Sequence, residues 1–230
     1  MSIPNIPEKY NQPAVVEPKT VIAERVKLGL NPTSAIPAGA IICYDTVLWN
    51  WVSMLPNRVE CDGWLKGALL LPQQNTNVLV MKAAGFGAPT AVMTLEELIA
   101  QGVKKIISLG AAGGLQTNLN VGDIVICDRA IRDEGTSHHY LPDEKYAYAN
   151  SELTGQLINA ISKKNIAMQK GTSWTTDAPY RETIVELKRY RTEGVLTVEM
   201  EAAALFAVAT YRGAQLSSIF TISDVFTEEG

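Results

Sequence analysis

Residues 202–209 read A-A-A-L-F-A-V-A, eight apolar side chains that leave no polar face at any period. A helix apolar on every side has to be enclosed by protein, so this segment must sit in the middle of a domain. Just ahead of it, T-V-E-M-E joins a β-branched, strand-like stretch (195–198) to that helix, putting Glu199, Met200 and Glu201 at the junction. Neighbouring helical positions differ by about 100°, so the two glutamates cannot point the same way. One can face a pocket while the other caps or pairs elsewhere. The positive end of the helix dipole on its own also favours acids there.

The rest of the chain alternates. Apolar spacing, caps and terminal glycines predict helices over 94–102, 151–164, 182–190 and 201–211. Strands are expected over 40–43, 77–81, 195–198 and 217–222, with others in K-K-I-I-S-L-G and V-G-D-I-V-I-C. Such alternation predicts a single α/β domain with a mixed, largely parallel central sheet flanked by helices. The first 39 residues hold six of the eleven prolines and little periodicity, so 1–39 reads as an irregular lead-in and 40–230 as the catalytic domain. At 230 residues with 47% apolar side chains, the chain can build one sizeable core.

A net charge of −4 without any Lys/Arg run argues against nucleic-acid binding. No apolar run approaches the roughly 20 residues needed to span a bilayer, and the N-terminus lacks a charged-then-apolar signal pattern. A cytoplasmic protein is expected. Cys43, Cys61 and Cys127 are odd in number and lack metal spacing, so they read as buried free thiols. His138-His139 has no accompanying ligand spacing either, and reads as a solvated loop pair rather than a metal site.

In α/β sheets, ligands bind beyond the carboxyl ends of the strands. Three such ends carry unusual residues. S-L-G-A-A-G-G-L (108–115) is a strand running into a small-residue turn, where Gly110, Gly113 and Gly114 let the backbone approach a ligand. The Glu199–Glu201 junction is the second. F-T-I-S-D, ending in Asp224, is the third; in a partly buried cleft such an acid would hold a proton near neutrality.

Together these segments resemble the nucleoside phosphorylase family, which includes purine nucleoside phosphorylase, uridine phosphorylase and methylthioadenosine nucleosidase. V-E-M-E-A-A-A-L followed by T-I-S-D carries most of the likeness. G-F-G-A-P-T-A (85–91), I-I-S-L-G-A-A-G-G-L with N-V-G-D-I-V-I, and R-D-E-G-T-S-H-H-Y (132–140) agree in order, so the likeness covers about residues 40–228. It implies cleavage of the N-glycosidic bond of a small-molecule nucleoside. Glu201 would take the ribose 2′ and 3′ hydroxyls with Glu199 beside it, and Met200 would pack on the sugar. Asp224 would protonate or hydrogen-bond N7 of a leaving purine, since the Gln-x-Arg pair with which uridine phosphorylase reads uracil is missing near 180–182. Trp174 would stack on the base or else pack in the core, with backbone at Ala112 and Gly113 along the base edge. The resemblance further implies phosphate as co-substrate, no metal or organic cofactor, and a homo-oligomer, dimer or hexamer, whose subunits complete each other's sites.

The chain departs from the family where phosphate binds. The expected G-D-P-x-R loop reads C-Y-D-T-V-L (43–48), and Ser108 and Ala111 replace an arginine and a hydroxyl residue. Backbone N–H groups at Gly110 and Ala111, with Arg58 standing in for a borrowed arginine, would have to hold the anion. The alternatives are hydrolysis with Asp45 as general base, or a nucleoside-binding protein that has lost its nucleophile site. Relatives also continue past the equivalent of Asp224 into a closing helix that can assist proton transfer, whereas six residues follow it here.

Overall fold

A computed structural model of the chain describes residues 6–30, 36–61, 67–73 and 76–226. Among them the strands are β1 (Gly39–Cys43), β2 (Val59–Glu60), β3 (Leu69–Gln73), β4 (Thr76–Lys82), β5 (Lys105–Gly114), β6 (Ile124–Asp133), β7 (Tyr146–Tyr148), β8 (Gln169–Thr176), β9 (Thr197–Glu199) and β10 (Gln215–Val225). The helices are α1 (Pro18–Lys27), α2 (Thr46–Ser53), α3 (Ala88–Ala100), α4 (Ser151–Ser162), α5 (Ile184–Thr192) and α6 (Ala202–Arg212). All the strands belong to one mixed sheet, ordered β10-β6-β8-β9-β5-β1-β4-β3-β2, with β7 on β6 and β10 also paired to β5. The longest ladders, β5–β10 and β6–β8, are parallel.

As its sequence demands, α6 is enclosed, with every residue from Ala202 to Ala209 buried. Gly213 ends it at φ 67°, the left-handed conformation that glycine adopts at no steric cost. α5 starts at a capping box, in which Thr183 and Glu186 satisfy each other's backbone N–H. None of these helices is long and apolar enough to cross a membrane.

Four local expectations change. The lead-in contains helix α1, fastened to the body by a two-pronged Arg25–Glu97 pair at 2.7 and 2.8 Å. α3 begins six residues before the expected start, because Pro89 occupies its first turn, where a missing N–H costs nothing. α2 was not foreseen. The stretch 108–115 is no tight turn: β5 stays extended through Gly114 because β10 pairs with it along its whole length.

The partner changes of β5 create the feature that matters for function. Along one edge it pairs with β1 up to Leu109, then with β9 from Gly113. Gly110, Ala111 and Ala112 are thus skipped by both ladders on that side. This is a switch in strand order, the place where open α/β sheets form crevices.

Candidate active site

Both acidic junctions meet the last third of β5, from opposite edges. On one edge β10 carries a bulge between Ile222 and Asp224, so Asp224 comes to lie opposite Gly113. A bulge re-aims the side chain that follows it. On the other edge Val198 of β9 is paired with the same glycine. A Cβ on Gly113 would lie 2.7 Å from Phe226 Cε2, 3.2 Å from Val198 Cγ1 and 3.4 Å from Asp224 Oδ2, so a larger residue would have to displace Phe226. Asp224 also accepts a hydrogen bond from Ser223 Oγ. It is exposed, contrary to the expected half-buried cleft, because no described element covers the end of β10.

The two glutamates divide their work as the helical geometry requires. Glu201 is the N-cap residue of α6, and its Oε1 accepts from Gly87 N at 2.6 Å, the N-cap residue of α3. It therefore lies where two positive helix ends meet. Burial nevertheless raises its pKa. Met200 approaches the same turn, its Cε 3.9 Å from the Cβ position of Gly87.

Glu199 corrects the expectation of a ribose contact. It is only 6% exposed and turned into the protein. It accepts from Ser173 Oγ at 3.1 Å, Thr175 Oγ1 at 2.5 Å, Glu201 N at 2.8 Å and Ala202 N at 2.7 Å. Thr175 Oγ1 in turn accepts from Ala203 N at 3.0 Å. Three orphan N–H groups of α6 are satisfied in this way by groups outside the helix. Burial and the charge of Glu201 push the Glu199 pKa up to about 7, against the pull of these donors.

Of the two readings of Trp174, base stacking is overturned and the core one holds: it is 1% exposed on β8, with Nε1 donating to Asp133 Oδ2 at 2.8 Å and its ring 4.8 Å from that of Tyr190. Asp45 caps α2 by accepting from Leu48 N at 2.6 Å, which ties the carboxylate expected to serve as a base. Arg58 precedes β2 at the far edge of the sheet and, within this chain, stays away from β5. Ala112 and Gly110 are buried, Gly113 is half-buried and Ala111 is exposed.

The histidine pair is split: His138 is half-buried, its Nε2 meeting the Arg132 carbonyl at 3.1 Å, whereas His139 is exposed as expected, beside Lys9. Buried Arg132 organises this loop through Ser137 Oγ and the carbonyls of Leu141 and Pro142. Cys43 and Cys127 are buried as expected, Cys61 only half so. No group of three metal-ligating side chains occurs among the described residues.

Three residues around the crevice escaped the sequence reading. Glu182 is half-buried beside Asp224, and burial together with that neighbour's charge raises its pKa. Arg191 does reach this end of the sheet, but it donates to the carbonyls of Leu115 and Phe226. Tyr44 follows directly on β1 and packs against Gly110. Elsewhere, a cavity of about 490 Å³ lies between the lead-in, α3 and Tyr211. Its two acids, Glu96 and Glu97, already face Arg212 and Arg25.

Comparison with known proteins gives this arrangement a context. The family described as the phosphorylase superfamily matches residues 67–230. A uridine phosphorylase of Haemophilus influenzae is 32% identical over 153 residues, covering 60% of this chain and 61% of its own. A guanosine phosphorylase of Halorubrum lacusprofundi is 31% identical over 144 residues, covering 63% and 60%. A purine nucleoside phosphorylase of Bacillus cereus is 33% identical over 152 residues, covering 65% of each. The chain thus spans between 60% and 65% of the length of these relatives. The crystal structure of a uridine phosphorylase from Vibrio fischeri superposes with a TM-score of 0.73 at 25% identity, over 83% of this chain and 79% of that one.

Proposed function

The chain belongs to the phosphorylase superfamily, and from that premise we propose that it cleaves the N-glycosidic bond of a purine nucleoside by phosphorolysis, giving free base and ribose 1-phosphate. The observation that carries this reading is Gly113, flanked on one side by Asp224 and on the other by the strand that leads to Glu201. A nucleoside lying along the crevice would offer its base to the first acid and its sugar to the second.

As the bond breaks, positive charge develops on the ribose and negative charge on the base. Glu201 would grip the sugar hydroxyls and fix the ring for attack, with Met200 against its apolar face. Asp224 would donate to N7 and relieve the charge on the departing purine. Glu199 does not touch substrate; it anchors the start of α6 and so fixes where Glu201 stands. Residues 40–230 act as the catalytic domain. Arg58, at the opposite sheet edge, would reach a phosphate only from a neighbouring copy, which favours a homo-oligomer. A cytoplasmic setting fits an enzyme of nucleoside salvage.

Hydrolysis is the second reading. It is favoured by Ser108 and Ala111 where an anion would want a cation and a hydroxyl, and by the Tyr44 ring lying over Gly110. Incubating the protein with inosine, adenosine and methylthioadenosine, with and without phosphate, separates the readings. Release of base only with phosphate is the expected result. Release without phosphate means water is the nucleophile, and binding without release means a nucleoside-binding protein.

Asp224→Asn tests the purine assignment. It is expected to lower kcat/KM on a purine nucleoside by about 100-fold, the usual worth of a positioned general acid. An undiminished rate would remove Asp224 from the chemistry.

A further inference from the structure

One polar group at the crevice has no partner among the described residues. Tyr44 leaves the carboxyl end of β1, and its backbone N–H donates to Leu109 O at 2.8 Å. This bond fixes the residue at the last rung before β5 loses its partner. Its side chain then lies over Gly110, with Cβ 3.4 Å and Cδ2 3.6 Å from the glycine's Cβ position. Gly110 is the first of the three residues that β1 and β9 both skip. The phenol oxygen is buried and makes no hydrogen bond with any described residue. Buried hydroxyls in native proteins nearly always have a partner, and one without it calls for an explanation.

We propose that the Tyr44 hydroxyl binds substrate, donating to the same sugar hydroxyl that donates to Glu201. This rests on the reading that Glu201 holds a ribose. The chemistry of the three groups is complementary. An ionised carboxylate only accepts, a protonated phenol donates, and a sugar hydroxyl does both at once. A chain from Tyr44 through the sugar oxygen to Glu201 would satisfy every member. The phenol also stays in its donor form: burial, then the charges of Glu201 and Glu199, hold its pKa well above the ordinary value. Those same charges make this side of the crevice unfavourable for a phosphate and suitable for a neutral hydroxyl. Tyr44 would then contribute to sugar recognition.

The test is Tyr44→Phe, assayed on the purine ribonucleoside turned over by the unmodified protein and on its 2′-deoxy and 3′-deoxy analogues. KM for the ribonucleoside is expected to rise about 10-fold, the worth of one well-placed hydrogen bond, with a smaller change in kcat. For the analogue lacking the shared hydroxyl, the variant and the unmodified protein should have the same KM. The ligand-free melting temperature should not fall, because no described residue uses the hydroxyl. Unchanged kinetics in an active protein would overturn this inference alone. Equal losses on all three substrates, or a ligand-free melting temperature several degrees lower, would assign the hydroxyl a structural role and overturn it too. If the unmodified protein neither cleaves nor is thermally stabilised by any nucleoside, the inference fails together with the reading beneath it.

Discussion

Replacing Glu201 with glutamine is expected to lower kcat/KM for nucleoside cleavage by about 100- to 1,000-fold while leaving the fold intact. Hydrogen bonds to a charged group are worth about 1.5–3 kcal/mol each, and the proposed grip on two ribose hydroxyls uses two of them. A loss of 3–4 kcal/mol corresponds to roughly that range in rate. The fold should tolerate the change because the amide oxygen of glutamine can still accept from Gly87 N. Removing a buried charge also relieves the desolvation that raises the Glu201 pKa. A melting temperature within a few degrees of the parent, combined with a severe kinetic loss, is the expected signature. Activity within threefold of the parent would mean that the sugar is held by something else.

The neighbouring substitution should do the reverse. Glu199→Ala is expected to destabilise the protein by about 3–5 kcal/mol, since removing one member of a buried charged network strands the others. For a chain of this size that corresponds to a fall in melting temperature of roughly 10 °C. Four donors lose their acceptor: two hydroxyls on β8 and the first two N–H groups of α6. The effect should also depend on pH. The folded-state pKa of Glu199 is raised to about 7 from a usual value near 4.5, so between those limits the folded protein binds more protons than the unfolded chain. Stability from this group therefore falls as pH rises through about 5 to 7 and levels off above. Comparing melting temperatures of the parent and Glu199→Gln across that range isolates the contribution, and parallel curves would refute the assignment. A loss of less than 1 kcal/mol in Glu199→Ala would show that α6 does not depend on this anchor.

Much of the fold could be read from the residues because local and global preferences agree. The eight apolar positions of α6 admit only a buried helix, and T-L-E-E-L-I-A-Q-G carries its own amphipathic spacing. α2 escaped because T-V-L-W-N-W-V is β-branched and aromatic; it becomes helical only through the Asp45 cap and the packing of Val52 under β1 and β4. At the site, the pair Glu199 and Glu201 could be located but not told apart. The donors that turn Glu199 inward are Ser173 and Thr175, some 25 residues away, and no local pattern announces them. The sequence leaves Trp174 between base and core for a related reason. A strand covered on both faces buries its aromatic as fully as any core residue, and only the tertiary neighbours Leu115, Leu187 and Val198 reveal that. Tyr44 was visible as a residue at a strand's carboxyl end. Its importance lies in a missing partner, which a sequence cannot display.

The interrupted edge of β5 has a wider consequence. Its length is set by the four residue steps from Leu109 to Gly113, a covalent spacing of roughly 13 Å at about 3.3 Å per step. That length is fixed by backbone, so exchanging a side chain at the rim changes the chemistry of the slot more than its length. Chemistry at such a place can be altered one side chain at a time while the span that receives the ligand stays the same.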